Sequence, residues 1–332
     1  MKTAFRLVVL ASCASAVLAS VGCGKPKGSH DDEGDGPTTS LDTMSATVIA
    51  DAAKERASHN IKSVFVIVME NHDWSSIRGN PSAPYINGTL LTQGAHAEHY
   101  TSPPGLHPSE PNYIWLEAGD ELGIGDDDDP VWNYRTTKNH LTTQMELAGV
   151  SWRSWQEGIA PDLCPLGSFG RYGAKHNPFV FFDDVTDARN PHSAHCMEHI
   201  RPYGELDANV ARYNFITPDL CNDMHDSAGC PSLDSVKNGD DWLSREVPKI
   251  LTSKAYQDGG ALFITWDESE GGDDAPIGLI ALSPFAKPGY AGTIPYTHSS
   301  LLRTVQDVFA LRPFMRDAAR ATSLSDLFVS YP

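Results

Sequence analysis

Oxygen-bearing side chains directly follow two of the apolar runs in the sequence. Glu70 and Asn71 come after one run, and Asp267 and Glu268 come after another. Carboxylate and amide oxygens are hard ligands that suit divalent cations. A helix cap with a solvated turn, or a flexible acidic loop, would explain either pair alone. Because two runs end in the same way, we predict that the two pairs share one metal ion.

A serine at the predicted start of a helix could supply a nucleophile. The segment that begins at His107 reads H-P-S-E-P-N-Y-I-W-L, and Glu110 and Pro111 suit the first turn of a helix. Ser109 then lies at or near the N-cap, facing unpaired backbone N–H groups and the positive end of the helix dipole. Such a place favours a phosphate and stabilises an alkoxide, although serine is also a favoured N-cap residue.

Polar residues in three later segments could complete a site. Asp223 and His225 lie in the segment T-P-D-L-C-N-D-M-H-D, where they could be metal ligands, phosphate contacts or acid–base groups. His298 begins the last predicted helix, and His176 lies in K-H-N-P-F. Since an isolated histidine is usually structural, His298 and His176 could each have either a structural or a functional role.

The elements that must position these residues alternate along the chain. Short, continuous apolar runs predict buried strands, and stretches with helical spacing lie between them. This alternation favours an α/β layered sheet, in which ligands bind beyond the carboxyl ends of the strands. The predicted strands cover 63–69, 213–217, 261–266 and 277–282, and the predicted helices include 240–253 and 299–311.

The bulk properties limit the function further. The chain has 332 residues, enough for a large buried core, and a formal net charge of -18. That charge argues against nucleic-acid binding through a broad basic face. We predict an export signal over 1–22, a flexible tether over 23–58 and a catalytic domain over 59–332, acting as a monomer.

The N-terminus predicts export. Lys2 and Arg6 precede an apolar run from Leu7 to Val21 that is too short and too rich in small residues for a strong membrane span. A small residue before Cys23 resembles a lipoprotein cleavage box, which would give a lipidated Cys23 as a membrane tether. A plain secretory signal is the alternative.

Four cysteines remain beyond this region, and an even number in an exported chain favours disulfides. Three connectivities are possible, and we predict the sequence-local pairs Cys164–Cys196 and Cys221–Cys230. The acidic run 126–129 is interpreted as a solvated loop, with calcium binding as the alternative.

Five motifs together resemble a known family. They are V-I-V-M-E-N-H-D-W, H-P-S-E-P-N-Y, I-T-P-D-L-C-N-D-M-H-D, F-I-T-W-D-E and Y-T-H-S-S-L-L-R-T, and they occur in this order over about residues 60–312. In this order they resemble the phosphoesterase family, which contains non-specific phospholipases C and acid phosphatases within the alkaline-phosphatase-like superfamily. The resemblance implies an α/β fold with a central, mostly parallel sheet and helices on both faces.

The resemblance also implies roles for individual residues. Five residues are implied as ligands of one divalent metal ion: Glu70, Asn71, Ser109, Asp267 and Glu268. Ser109 is implied as the nucleophile that forms a phosphoserine, with His107 and His225 in phosphate contact or proton transfer. Three residues are expected to bind substrate: Asn112, Asp223 and His298. The hard ligands favour calcium or magnesium, and zinc or iron would fit if a histidine joined them.

Departures from the family pattern refine the expected substrate. The D-H-V sequence that follows the acidic pair in the phospholipase branch is absent, because Ala275 and Pro276 follow Asp274. Tyr113 stands where the phospholipases have arginine, which also disfavours a sulfatase. We therefore expect an acid-phosphatase-like hydrolase of small-molecule or lipid phosphoesters. A phospholipase C or other phosphodiesterase is the main alternative, and a calcium-binding lipoprotein without catalysis is another.

Overall fold

The computed structural model describes residues 45–332, except 209, 227 and 272–273. The predicted export signal, Cys23 and the first part of the predicted tether lie outside these residues. The helices are α1 Ala46–Ser58, α2 Trp74–Ile77, α3 Leu91–Gln93, α4 Ser109–Ala118, α5 Pro130–Asn133, α6 Leu141–Leu147, α7 Asp183–Thr186, α8 Ala194–His199, α9 Ser235–Thr252, α10 Lys254–Gln257 and α11 His298–Val308. The strands are β1 Ser63–Met69, β2 Ala95–Ala97, β3 Tyr100–Thr101, β4 Trp152–Gln156, β5 Ile200–Pro202, β6 Tyr213–Thr217, β7 Gly260–Trp266, β8 Leu279–Leu282, β9 Ala291–Gly292 and β10 Tyr296–Thr297.

A central sheet of eight strands has the order β5-β4-β6-β1-β7-β8-β2-β9. The five strands from β5 to β7 run parallel, and β8 pairs antiparallel with both β7 and β2. Every residue of β1 and β7 is buried, as expected for central strands covered on both faces. The predicted α/β fold with a mostly parallel sheet is confirmed.

Helices cover the sheet in two groups. Helices α4, α6 and α11 contact one another through α4, while α9 contacts α10 and a π-helical turn, Ile86–Leu90. Among the described residues, no helix is both long and apolar enough to cross a bilayer.

At the start of α6, the buried ring of His140 bridges two carboxylates, with Nδ1 at 2.9 Å from Glu117 and Nε2 at 3.0 Å from Asp184.

The predicted boundary of the tether is wrong at its C-terminal end. Residues 46–58, placed in the flexible segment, form helix α1. Arg56 of this helix is buried, and its guanidinium donates hydrogen bonds to the carbonyls of Ala148 and Phe309. The helix is therefore attached to the folded domain, because these bonds cap buried carbonyl groups.

Both predicted disulfides are confirmed. Cys164 bonds Cys196 and Cys221 bonds Cys230, with Cα atoms 5.6 and 5.5 Å apart. We refer to the bond between Cys221 and Cys230 as the second disulfide. Disulfides persist in oxidising compartments, so the pair agrees with an extracytoplasmic location.

Candidate active site

The carboxyl ends of three adjacent parallel strands bring the first acidic residues together. Strand β1 pairs with β7 in a register that places Met69 opposite Trp266, so Glu70 and Asp267 leave the sheet side by side. The Glu70 N–H donates to the carbonyl of Asp223, which follows β6, at 2.8 Å. The residues that follow β1, β6 and β7 therefore lie close together, because these neighbouring parallel strands end at the same edge of the sheet.

Asn71 turns the chain sharply after β1. Its φ is 34°, in the left-handed region that asparagine tolerates better than most residues. Its backbone N–H donates to Asp267 Oδ1 at 3.0 Å, and its side-chain Oδ1 faces the carboxylates of Glu70 and Asp267. The turn thus places the Asn71 side chain between the two carboxylates.

Ser109 is the first residue of α4, and Pro108 is the N-cap. The hydroxyl is almost fully buried and donates to Glu70 Oε2 at 3.1 Å. It also lies 3.4 Å from Asn71 Oδ1 and 3.4 Å from Glu268 Oε1. The structure therefore brings together the five residues predicted as metal ligands, which we call the oxygen cluster: Glu70, Asn71, Ser109, Asp267 and Glu268.

The oxygen cluster has the chemistry of a cation site. Burial raises the pKa of Asp267 well above its usual range, and the neighbouring charges of Glu70 and Glu268 raise it further. Burying three carboxylates side by side is unfavourable unless a positive charge compensates them. With carboxylate, amide and hydroxyl oxygens converging, the donor set fits a hard divalent ion. The residues of the oxygen cluster therefore meet the chemical requirements of a divalent-cation site.

His107 and His225 lie at the rim of this cluster. His107 Nδ1 is hydrogen-bonded to Glu268 Oε2, and its Nε2 is without a hydrogen-bond partner among the described residues. His225 Nδ1 lies 2.9 Å from Asp226, and its backbone N–H donates to Asp223 Oδ1 at 2.8 Å. His107 Nε2 lies 3.8 Å from Asp274 Oδ1, beyond hydrogen-bonding distance, so the ring keeps one nitrogen that can exchange a proton with a bound ligand.

His176 enters the site from the loop after β4. Its Nε2 lies 3.2 Å from Glu70 Oε1, and its Nδ1 lies 3.5 Å from Asp223 Oδ2. Burial alone would lower the pKa of His176, but the two carboxylates outweigh it and raise the pKa to about 10. The ring is thus a buried cation that holds Glu70 and Asp223 together. The motif K-H-N-P-F identified His176 as a candidate, but the sequence alone did not distinguish a structural role from a functional one.

Tyr113 lies one turn into α4 and supports Glu70 directly. Its hydroxyl donates to Glu70 Oε1 at 2.5 Å, and its ring stacks on His176 with centroids 5.1 Å apart. Sequence reasoning treated Tyr113 only as a replacement for arginine. The contact was missed because it depends on how α4 packs against the end of β1.

The three residues predicted to bind substrate occupy different positions. Asn112 is buried and donates to the carbonyl groups of Leu106 and Pro108, which shapes the loop before Ser109. Asp223 is buried against His176. His298 is also buried, with Nδ1 at 3.0 Å from the Tyr100 hydroxyl and Nε2 at 2.6 Å from the Asp267 carbonyl.

The geometry of His298 favours positioning over substrate contact. Burial lowers the pKa of His298 to about 4, so the ring is neutral at physiological pH. Both of its nitrogens are engaged, and one of them fixes the backbone of Asp267. Its predicted contact with substrate stays a prediction, whereas its contact with a member of the oxygen cluster is present in the structure.

The acidic run 126–129 is more ordered than the predicted solvated loop. Asp127 Oδ1 accepts the backbone N–H of Glu110 at 3.0 Å, and Asp127 Oδ2 accepts from Lys175 Nζ at 2.9 Å. One carboxylate therefore satisfies a free donor at the start of α4 and anchors the loop that carries His176. Burial lowers the pKa of Lys175, but its hydrogen bond to Asp127 and the charges of Asp127, Glu70 and Asp267 outweigh burial and raise the pKa.

Comparison with known sequences gives consistent matches. Residues 90–312 match the model of the phosphoesterase family, a range that begins after Glu70 and Asn71. A phosphatidylinositol-3-phosphatase from Mycobacterium tuberculosis is 30% identical over 80% of this chain and 82% of its own length. A probable acid phosphatase from Kluyveromyces lactis is 25% identical over 68% of this chain. The chain spans 52% of that yeast protein and 39% of a similar acid phosphatase from Penicillium chrysogenum.

Comparison with solved structures shows the fold. A phosphonate monoester hydrolase from Silicibacter pomeroyi superposes with a TM-score of 0.54 at 12% identity, covering 82% of this chain and 77% of its own. A protein of the alkaline phosphatase superfamily from Vibrio parahaemolyticus gives 0.52 at 9% identity, covering 86% and 81%. These similarities place the sheet and its helices in the alkaline phosphatase superfamily fold.

Proposed function

The chain belongs to the phosphoesterase family and is a phosphoester hydrolase, and from this premise we propose that it cleaves phosphoric monoesters through a phosphoserine on Ser109. The observation that carries the proposal is the position of the Ser109 hydroxyl. It lies at the start of α4 and within 3.4 Å of oxygens from Glu70, Asn71 and Glu268. A serine among acids at a helix start has little value for packing, but it suits a nucleophile.

The oxygen cluster would hold one divalent cation in this proposal. Its hard donors favour calcium or magnesium, and the superfamily is metal-dependent. When bound, such an ion stabilises negative charge on the serine oxygen and on the phosphoryl group. His176 and Tyr113 would keep Glu70 oriented toward it, and His298 would do the same for Asp267.

The protein's own groups supply the remaining steps. After its proton has left to solvent, Ser109 Oγ bonds to phosphorus as the ester bond breaks, and His107 Nε2 gives a proton to the departing alkoxide. A water molecule then gives a proton to His107 and attacks phosphorus, and Ser109 Oγ leaves and regains a proton. The products are an alcohol and inorganic phosphate. His225, at the rim, would contact the phosphoryl group together with Asn112.

Cationic side chains favour a monoester over a diester. A phosphoryl monoester carries a charge of about -1.5 to -2 near neutral pH, about twice that of a diester. Lys175 and His176 lie beside the oxygen cluster, and their positive charges can balance this extra charge. The relative from Mycobacterium tuberculosis is named for a lipid phosphomonoester. We extend the proposal to phosphomonoesters on lipid headgroups, which a lipidated Cys23 on an exported monomer would bring within reach.

The test compares three substrates with the wild type and two serine variants. We expect turnover of p-nitrophenyl phosphate and phosphatidylinositol 3-phosphate to exceed that of phosphatidylcholine, which represents the phospholipase C alternative. Ser109→Ala should lower turnover by at least about a thousandfold. Ser102→Ala removes another buried hydroxyl, one without a partner among the described residues, and should change turnover little.

Two further measurements separate the parts of the proposal. Acid quenching during turnover should trap phosphate on Ser109, as detected by peptide mass spectrometry. Asp267→Asn should lower the content of bound divalent metal in the purified protein. Near-wild-type activity of Ser109→Ala, or trapped phosphate on a residue other than Ser109, would refute the assignment of Ser109 as the nucleophile. Unchanged metal content in Asp267→Asn would refute the cation site.

A further inference from the structure

A second group of ligand-type side chains lies apart from the active site. Glu146 belongs to α6, and His195 and His199 lie on one face of the short helix α8. One ligand atom from each of these residues lies within 4.8 Å of the others. Their side chains are 39%, 31% and 14% exposed, so an ion from solution can reach them.

The spacing of these atoms fits a small tetrahedral ion. Glu146 Oε1 lies 2.8 Å from His195 Nε2 and 3.8 Å from His199 Nε2. Ligands about 2.0–2.1 Å from a tetrahedral zinc ion stand roughly 3.3 Å from one another. The two observed distances lie on either side of that value. The two glutamate–histidine distances therefore each differ from the tetrahedral value by about half an ångström.

Backbone carbonyls orient both imidazole rings with Nε2 toward Glu146. His195 Nδ1 lies 3.2 Å from the carbonyl of Asp184, and His199 Nδ1 lies 3.0 Å from the carbonyl of Trp152. A carbonyl oxygen only accepts, so Nδ1 carries a hydrogen in both rings and Nε2 is the atom left to bind a metal. His195 Nε2 faces the Glu146 carboxylate at 2.8 Å, so a bound ion would replace the hydrogen in that contact. Metal-binding histidines in proteins are typically oriented by this kind of bond on the other ring nitrogen.

The surroundings hold the three side chains rigidly. The disulfide at Cys196 anchors α8, and the Trp152 indole stacks on the His199 ring with centroids 4.2 Å apart. Trp152 Nε1 also donates to Glu146 Oε1 at 2.9 Å. Little side-chain freedom remains to be lost on binding an ion, which favours affinity.

The sheet separates this group from the oxygen cluster. Trp152 begins β4, which runs parallel to β6 and β1, and Trp152 is in register with Tyr213 at the start of β6. The histidines therefore lie at the amino ends of the parallel strands, whereas the oxygen cluster follows their carboxyl ends. A strand of five to seven residues puts roughly 20 Å between the two edges.

We propose that Glu146, His195 and His199 bind one Zn²⁺ ion, with water completing the coordination. Two imidazole nitrogens and a carboxylate suit zinc better than the calcium or magnesium favoured for the oxygen cluster. The ion would link α6 to α8 and, through the disulfide between Cys164 and Cys196, to the segment 157–193. The site is structural and does not depend on the proposed reaction.

Zinc titration of the chelator-stripped protein, followed by calorimetry, tests the proposal. His195→Gln and His199→Phe remove one ligand each, and phenylalanine keeps an aromatic ring against Trp152. His192→Gln is the matched control, because His192 is exposed in the same segment and lies outside the group. Asp267→Asn identifies any zinc that binds at the oxygen cluster instead.

The expected result is one fewer zinc equivalent for His195→Gln and for His199→Phe than for the wild type and His192→Gln. The equivalent should persist in Asp267→Asn, and zinc should raise the Tm of the wild type more than that of His195→Gln. Both ligand variants should keep the Tm of the zinc-free wild type and its phosphatase activity. Equal zinc stoichiometry and affinity in the wild type, His192→Gln, His195→Gln and His199→Phe would overturn the proposal.

Discussion

The hydrogen bond between Tyr113 and Glu70 allows a quantitative test of the cation site that we propose for the oxygen cluster. Tyr113→Phe removes a hydroxyl that donates to Glu70 Oε1 at 2.5 Å. The phenyl ring preserves the stacking on His176 and the packing of α4. The substitution therefore changes the orientation and hydrogen bonding of one proposed ligand without removing any ligand.

The expected loss follows from the type of bond. A hydrogen bond to a charged group contributes about 1.5–3 kcal/mol. Since about 1.4 kcal/mol corresponds to a tenfold change in a binding constant, the divalent metal should bind about 10- to 100-fold more weakly. At saturating metal, turnover should stay within a few-fold of the wild type, because Ser109 and His107 are untouched.

Calorimetric titration of the stripped protein with Mg²⁺ and with Ca²⁺ measures this loss. Tyr203→Phe is the control, because its hydroxyl also donates to a glutamate, Glu246, at 3.0 Å, but lies outside the oxygen cluster. The reasoning is refuted if Tyr113→Phe binds both ions as tightly as the wild type. It is also refuted if Tyr203→Phe weakens binding to the same extent.

Three predictions concern stability. Burial lowers the pKa of His140, but its two carboxylate partners outweigh it and raise the pKa to about 9 from 6.5 in the unfolded chain. This contribution, about 3 kcal/mol, is complete below about pH 6.5 and is lost as pH rises to about 9. Urea unfolding should show a smaller loss of stability over this pH range in His140→Gln than in the wild type, because His176, with a pKa of about 10, contributes a similar slope in both proteins. Gly278→Ala should lower the free energy of unfolding by about 3 kcal/mol or more, because the φ of Gly278 is +74° and a Cβ would lie 2.2 Å from the Trp74 ring. Gly79→Ala is the control: Gly79 has a similar φ of +77° but open space around it, so this substitution should lower the Tm less. Replacing both cysteines of the second disulfide by serine should cost about 3 kcal/mol of unfolding free energy, and no loss in urea unfolding would contradict this.

The sequence predicts the central strands and the residues that follow them because both are local patterns. A continuous apolar run with acids directly behind it identifies β1 and β7 and places Glu70 and Asp267 at the same edge of the sheet. The helix start at Ser109 is also local, since proline and an acid in the first turn mark it. For these features, few alternative conformations satisfy the pattern.

The supporting residues could not be predicted in the same way. His176 and Asp127 reach the site from long loops, and their contacts depend on how those loops pack rather than on spacing. Tyr113 is one turn beyond Ser109, yet only the packing of α4 against β1 directs its hydroxyl to Glu70. The ring of His298 likewise faces the Asp267 backbone, a contact that no single segment of sequence encodes.

The pairing of β1 with β7 has a consequence for the order of folding. Asn71 and Asp267, which contact each other in the oxygen cluster, are separated by 196 positions in the chain. During synthesis, Glu70 and Asn71 therefore precede Asp267 and Glu268 by almost two hundred residues. The proposed set of metal ligands is complete only after β7, the last of the five parallel strands in the chain, has joined the sheet. In the proposed mechanism, metal binding would thus be a late event that follows completed assembly, and it would stabilise the finished fold without guiding the early stages.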